Sequence, residues 1–196
     1  MHHRNASFHN HIEGIGDFLF VPYDNENDAE IIHPWVNMDY AKFWMLGDSS
    51  LEDVKAEYRK IMEQSGTSVF LGYLEEKPVF LTEIYNPAYA EIMEHYEYAP
   101  RDIGMHVLVA PPDKPIRHFT RGVFISIMKF IFAAHSAERV IVDPDTENHK
   151  IHKLNEDAGF RVLKDKVTLS NKTSRLECCT RYDFEHSKMM TSLSGV

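Results

Sequence analysis

Between Gly104 and Phe160 the chain sets down five pieces in order: an apolar strand (GMHVLVA), a loop rich in proline and basic residues, a long apolar helix (VFISIMKFIFAAH), a second strand (RVIVDPD) and a second helix (TENHKIHKLNEDAGF). Val123, Phe124, Ile127, Phe130, Ile131 and Ala134 recur at helical spacing, which predicts a helix buried over most of its surface. Thr120 reads as its N-cap. The amino end of such a helix turns unpaired N–H groups and the positive end of its dipole toward whatever the preceding loop holds. That loop carries Lys114, Arg117 and Arg121, which suit a pyrophosphate, and Gly122 lets a ligand approach the backbone closely. The order strand, loop, buried helix, strand, helix is the layout of a cofactor cradle.

The rest of the chain supports one domain. It has 196 residues, 43% hydrophobic and 26% charged, which suits a single soluble domain with a sizeable core and leaves no room for a second. A formal net charge of −9 speaks against a nucleic-acid surface. Cys178 and Cys179 are adjacent, badly placed to bridge each other, and point to a reducing cytosol. The first sixteen residues, with His2, His3, His9 and His11, read as a flexible segment that is neither a signal peptide nor a membrane anchor, and no metal site is expected there. Residues 17–185 form the expected domain and 186–196 a polar tail that frays.

Phe18–Tyr23 reads as a first strand and DNENDAE as an acidic turn. His33-Pro34-Trp35 then opens a helix that closes at Phe43 and Trp44. A second helix runs from Leu51 to Gln64, capped by Ser49 or Ser50. SVFLGYLEEKPVFLTEIY is a hairpin turning at Glu75–Pro78. NPAYAEIMEHYEYAP reads as a loop over the substrate or an amphipathic helix, and the chain after Arg161 as a closing hairpin through Phe184.

Chemistry-bearing residues fall at a few places. His106 lies in an otherwise apolar strand, sharing a face with Leu108 while Met105, Val107 and Val109 share the other; it is a general base near neutrality or a core histidine. Asp145 stands where Pro144 stops a strand, at the edge where sites in α/β sheets gather, although Asp-Pro-Asp also makes turns. Glu83 and Tyr85 share one strand face, where Glu83 either holds a substrate ammonium or meets solvent. Trp35 and Trp44 wall a pocket or pack in the core. No Ser-His-Asp or Cys-His arrangement is evident.

Arg117-x-x-Thr120-x-Gly122 after a strand, together with Asn148-x-x-Ile151-x-x-Leu154 and Gly159-Phe160, resembles the GNAT N-acyltransferases. Thr120 stands where that family usually has glycine. Asp102-x-Gly104-x-His106-x-Leu108-Val109, Asp143-Pro144-Asp145-x-x-Asn148 and Leu154-Asn155 are similar to the acyltransferases of hydroxamate siderophore synthesis, a likeness spanning about Trp35 to Asp183.

The resemblance implies an α/β (α+β) GNAT fold: one mixed, mostly antiparallel twisted sheet flanked by helices, with a CoA cleft where two central strands splay. It implies acyl-CoA, acetyl-CoA foremost, bound by Val107, Val109, Lys114, Arg117, Thr120, Arg121, Gly122, Asn148 and Asn155. The acceptor is an N-hydroxylated amine, N-hydroxylysine or an N-hydroxydiamine, near Trp35, Trp44, Glu83 and Tyr85. His106 and Asp145 are the implied catalytic pair, acting as the amine attacks the thioester directly through a tetrahedral intermediate. Asn155 replaces the tyrosine with which many GNAT enzymes protonate the thiolate. An aminoglycoside-type N-acetyltransferase and a non-catalytic acyl-CoA-binding protein stay open beside this reading. A cytoplasmic monomer or homodimer, without nucleic-acid or membrane partners, completes it.

Overall fold

A computed structural model describes residues 6–111 and 114–191. The expected flexible ends at 1–5, with His2 and His3, and at 192–196 lie outside the described residues. The strands are β1 (Phe8–Ile12), β2 (Gly16–Pro22), β3 (Thr67–Leu74), β4 (Lys77–Tyr85), β5 (Asp102–Val109), β6 (Arg139–Val142), β7 (Arg161–Thr168) and β8 (Thr173–Thr180). Helices α1 (Asn25–Val36), α2 (Leu51–Glu63), α3 (Phe119–Ala134), α4 (His149–Asp157), α5 (Arg181–Glu185) and α6 (Lys188–Thr191) flank them. The sheet reads β1-β2-β3-β4-β5-β6-β8-β7. It is mixed and mostly antiparallel, as expected: β5 and β6 pair in parallel from Asp102↔Arg139 to Gly104↔Ile141, and β5 then runs on to Val109.

The chain forms two compact units, one comprising the residues up to Ile84 with His106–Ser126, the other Tyr85–Met105 with Ile127 onward. In the first, Tyr23, Ile32, Trp35, Tyr58, Leu71, Leu81 and Leu108 form one apolar cluster. Trp35 is 8% exposed, so it is a core residue instead of a pocket wall. In the second, Tyr85, Ile92, Ile141, Leu176 and Cys178 form another cluster. Both cysteines are buried and free, and burial pushes the Cys178 thiol up to about 11.

Several local readings change. The N-terminal segment is not loose from Phe8 onward: β1 pairs antiparallel with β2 from Phe8↔Phe20 to Ile12↔Gly16. Its exposed His9 and His11 alternate with half-buried Phe8 and Asn10 and end on buried Ile12, so the histidines hide a period-two pattern. The acidic stretch after Tyr23 is helix, not turn. Asp24 caps α1 by accepting from the Glu26 amide, and Glu26 and Asp28 favour the positive end of the dipole. Pro34 therefore sits in the last turn of α1 instead of opening a helix, and Asp39–Trp44 form a separate 3-10 segment.

Helix α2 starts as expected, with a reciprocal capping box between Ser50 and Asp53. The stretch after Asn86 forms two short 3-10 turns, Pro87–Tyr89 and Glu91–His95. The closing strand stops at Thr180, whose hydroxyl accepts from the Asp183 amide and starts α5. The tail contains α6, and Met189 in it is buried.

Candidate active site

In the first unit the residues around His106 form a closed arrangement. His106 is carried by β5 with its side chain 41% exposed, and its Nδ1 lies 2.8 Å from Oε2 of Glu83 on β4, which is 10% exposed. The other carboxylate oxygen, Oε1, accepts from the Tyr58 hydroxyl of α2 at 3.2 Å. Tyr58 in turn accepts from the Trp44 indole N–H at 3.0 Å. Trp44 completes the circuit by meeting the His106 ring edge-on, centroids 6.3 Å apart. Burial and the Glu83 carboxylate push the Tyr58 phenol well above the ordinary tyrosine range.

This geometry answers several readings. His106 is half exposed, with its Nδ1 against the Glu83 carboxylate. Of the two tryptophans, Trp44 is the one beside it. Glu83 is buried, with Oε1 meeting Tyr58 and Oε2 meeting His106, so it is not an ordinary solvent-facing carboxylate. Val107 and Val109 are half exposed on the other face of β5.

The start of α3 belongs to the same unit. The helix begins at Phe119, so Thr120 is an exposed second residue of its first turn and not the N-cap. His118 precedes it at φ 60, and its carbonyl accepts from the Gly122 amide at 2.9 Å. At Gly122 a Cβ would lie 2.3 Å from Cδ1 of Ile15, so the small size of this residue serves packing. Lys114 and Arg117 are exposed and Arg121 is half exposed, with no acidic residue in the first turn of α3. Three cations at the amino end of a 16-residue helix fit an anionic pyrophosphate such as that of CoA.

In the second unit, Asp145 is half buried in the loop after β6. Its Oδ1 accepts from the Glu147 amide at 2.8 Å, the turn geometry such a sequence favours. Two contacts fix its carbonyl, from the Asn148 amide at 2.9 Å and from Nε2 of His152 at 3.0 Å. Asn148 caps α4 through its side chain. Asn155 is 1% exposed and donates to Oε2 of Glu177 at 2.6 Å, while Nδ1 of His152 meets Oε1 of the same carboxylate at 2.9 Å. Asn155 thus lies buried against a carboxylate through its Nδ2, while its Oδ1 has no hydrogen-bond partner among the described residues.

Tyr85 is also buried, its ring lying over Gly104 and its hydroxyl donating to Oδ1 of Asp143 at 3.3 Å. Lys172 meets Oδ2 of that aspartate at 2.9 Å. His152, Glu177, Tyr58 and Lys172 were not singled out from sequence. A signal existed for two of them. Glu177 is a lone carboxylate flanked by Leu176, Cys178 and Cys179, which demands a buried partner, and His152 and Asn155 stand at i and i+3 on one helix face.

Among the described residues no group of three or more His, Cys, Asp or Glu is placed to hold a metal ion, and no helix is long and apolar enough to cross a membrane.

A mixed sheet with a parallel β5–β6 pair, its two strands joined through a long apolar helix preceded by cations, is the arrangement of the GNAT acetyltransferases, a class of acyl-CoA-dependent N-acyltransferases, and the chain belongs to that family: its acetyltransferase (GNAT) domain matches residues 24–168. Within the class, the chain is 25% identical over 162 residues to N(6)-hydroxylysine O-acetyltransferase of Escherichia coli, which covers 82% of this chain and 51% of that protein. The chain thus spans about half the length of this curated relative. Among solved structures, an uncharacterized protein from Bacillus halodurans superposes with a TM-score of 0.85 at 21% identity over 96% of each chain. AAC(6')-Ib in complex with ribostamycin and coenzyme A gives 0.74 at 18% identity, covering 86% of this chain and 96% of that one. Spermidine N-acetyltransferase from Vibrio cholerae, with CoA and spermine, gives 0.62 at 16% over 85% and 97%. These likenesses establish the fold.

Proposed function

We propose that the protein transfers an acyl group, acetyl in first place, from acyl-CoA to the hydroxylated nitrogen of N-hydroxylysine or an N-hydroxydiamine, forming a hydroxamate of the kind found in siderophores. The observation that carries the reading is His106, half exposed with its ring anchored at Nδ1. An N-hydroxylamine is a weaker base than an alkylamine and is mostly neutral near pH 7, so it needs a base during attack and not beforehand. The 25% likeness to a hydroxylysine acetyltransferase over 82% of the chain supports the acceptor class.

When bound, acyl-CoA supplies an activated acyl carbon and a thiol leaving group. Lys114, Arg117 and Arg121, at the positive end of the α3 dipole, would hold its pyrophosphate, with Val107 and Val109 also on its side of the site. His106 takes the proton from the acceptor nitrogen and Trp44 borders the acceptor, with Asp145 as a second residue on which turnover depends. Direct transfer within one complex needs positioning and one base, and no covalent enzyme intermediate. A polycation acceptor such as an aminoglycoside would want carboxylates to spare, whereas Glu83 is already committed to Tyr58 and His106.

The test is release of CoA thiol from acetyl-, succinyl- and malonyl-CoA against lysine and diamines, each with and without the N-hydroxyl group. The product is then mixed with ferric ion, because a hydroxamate chelates iron with colour and an O-acyl hydroxylamine does not. Preference for a hydroxylated acceptor with a coloured product supports the proposal. A colourless product would move the acyl group to oxygen, and turnover of plain amines or aminoglycosides would overturn the acceptor class. Binding of acyl-CoA without thiol release on any amine would make the chain a binding protein.

A further inference from the structure

We infer that Glu83 is the positioning residue of His106: a buried carboxylate, fixed in place by Tyr58 and Trp44, that keeps the imidazole proton on Nδ1 and presents the Nε2 lone pair to the acceptor. The inference rests on the reading of His106 as the base and concerns how that base is held.

The direction of every hydrogen bond in the circuit follows from donor chemistry. An indole nitrogen only donates, so Trp44 donates to the Tyr58 oxygen. Tyr58 then gives its own proton to Oε1 of Glu83. An ionised carboxylate only accepts, so its Oε2, 2.8 Å from Nδ1 of His106, takes a proton from that nitrogen. The neutral ring is thereby the Nδ1–H tautomer, with its lone pair on Nε2. Glu83 of β4 and Trp44 of the 3-10 segment meet the ring, with Tyr58 of α2 behind the carboxylate. Tyr58 stays a neutral donor throughout the working range because burial and Glu83 oppose its ionisation.

A carboxylate beside imidazole has two effects: it selects the tautomer, and it favours the imidazolium that forms when the base takes its proton. Glutamine at the same position keeps the shape, yet its amide group offers a proton to Nδ1 and reverses the tautomer. Holding the base in the wrong tautomer is costly, by up to about four orders of magnitude where a hydrogen-bonded Asp-His pair has been altered in this way.

The experiment combines ring-nitrogen NMR of His106 with steady-state kinetics of Glu83→Gln, Tyr58→Phe, His106→Ala and the Glu83→Gln/His106→Ala pair. In the unaltered protein the NMR spectrum is expected to show Nδ1–H; Nε2–H there overturns the inference whether or not any variant folds. Glu83→Gln is expected to lower kcat about 100-fold or more, with KM for acyl-CoA little changed and the acid limb of the pH–rate profile moved to lower pH. Tyr58→Phe is expected to fall between it and the unaltered protein. In the His106→Ala background Glu83→Gln should add nothing. If His106→Ala is inactive while Glu83→Gln keeps full activity and the same pH profile, the positioning role fails and the base survives. If His106→Ala is fully active, the base itself falls and the inference with it.

Discussion

Arg139 grips Asp102 across the first rung of the parallel pair β5–β6, its Nε 2.7 Å from Oδ1 and its Nη2 2.6 Å from Oδ2. The aspartate side chain is 0% exposed and the arginine side chain 28%. The same guanidinium donates to the Glu97 carbonyl at 3.0 Å, so one side chain ties the strand pair to the segment before it. Asp102 also raises the affinity of Arg139 for its proton. Removing the cation leaves a buried charge without compensation, which costs about 3–5 kcal/mol. Arg139→Ala is expected to lower stability on that scale in urea unfolding, and Arg139→Lys to recover only part because it lacks the planar fork. A loss under about 1 kcal/mol, typical of surface pairs, would show that water reaches Asp102 once the arginine is gone.

Asp145 offers a clean separation of turn from catalysis. Its Oδ1 accepts from the Glu147 amide, and asparagine makes the same Asx turn without a carboxylate. Asp145→Asn should therefore fold with unchanged thermal stability and lose about two orders of magnitude in kcat. Full activity in that variant would leave Asp145 a turn residue.

Gly104 is covered by the Tyr85 ring, and a Cβ there would lie 2.2 Å from its nearest atoms. Gly104→Ala is expected to destabilise by about 1–3 kcal/mol, the range for overpacking a filled interior. Combining it with Tyr85→Leu should cost less than the sum of the two single changes, since contact residues couple. Additive losses in denaturant titrations would mean that the clash is not the cause.

His135 packs edge-on against Phe130, ring centroids 4.9 Å apart, and burial pulls its proton affinity below the ordinary histidine value. The sign follows from which state binds the proton first. As pH falls through the ordinary range, about 6.5, the unfolded chain protonates this residue before the folded one does, and stability drops until the folded-state value is passed. Above the ordinary range the residue contributes no slope. His135→Phe is expected to flatten the decline between about pH 7 and pH 5 relative to the unaltered protein. Identical slopes would assign the decline to other groups.

What could be read from sequence was what is local. The Ser50–Asp53 box needs four adjacent residues, and the apolar period of α3 needs one helix, so both were legible. Pro34 misled because proline opens helices more often than it sits in a last turn, while the true start lay in the Asp24 cap ten residues earlier. The site was half legible. His106 and Asp145 stood out by residue type and position, but Glu83 finds Tyr58 and His106 at separations of 25 and 23 residues. No periodicity reports such a pairing. The partner of Asn155 was hidden for the same reason, Glu177 lying 22 residues away on a strand.

The histidine-bearing amino end has a practical meaning. Asn10 of β1 exchanges two hydrogen bonds with Ser126 in the middle of α3, its Nδ2 donating to the Ser126 carbonyl at 3.2 Å and its Oδ1 accepting from the Ser126 hydroxyl at 2.9 Å. A stretch that invites trimming as though it were a purification tag is thus the outermost rail of the sheet. Cutting it away would bare the hydrogen-bonding edge of β2, leave a fully buried serine hydroxyl without its acceptor, and invite edge-to-edge association.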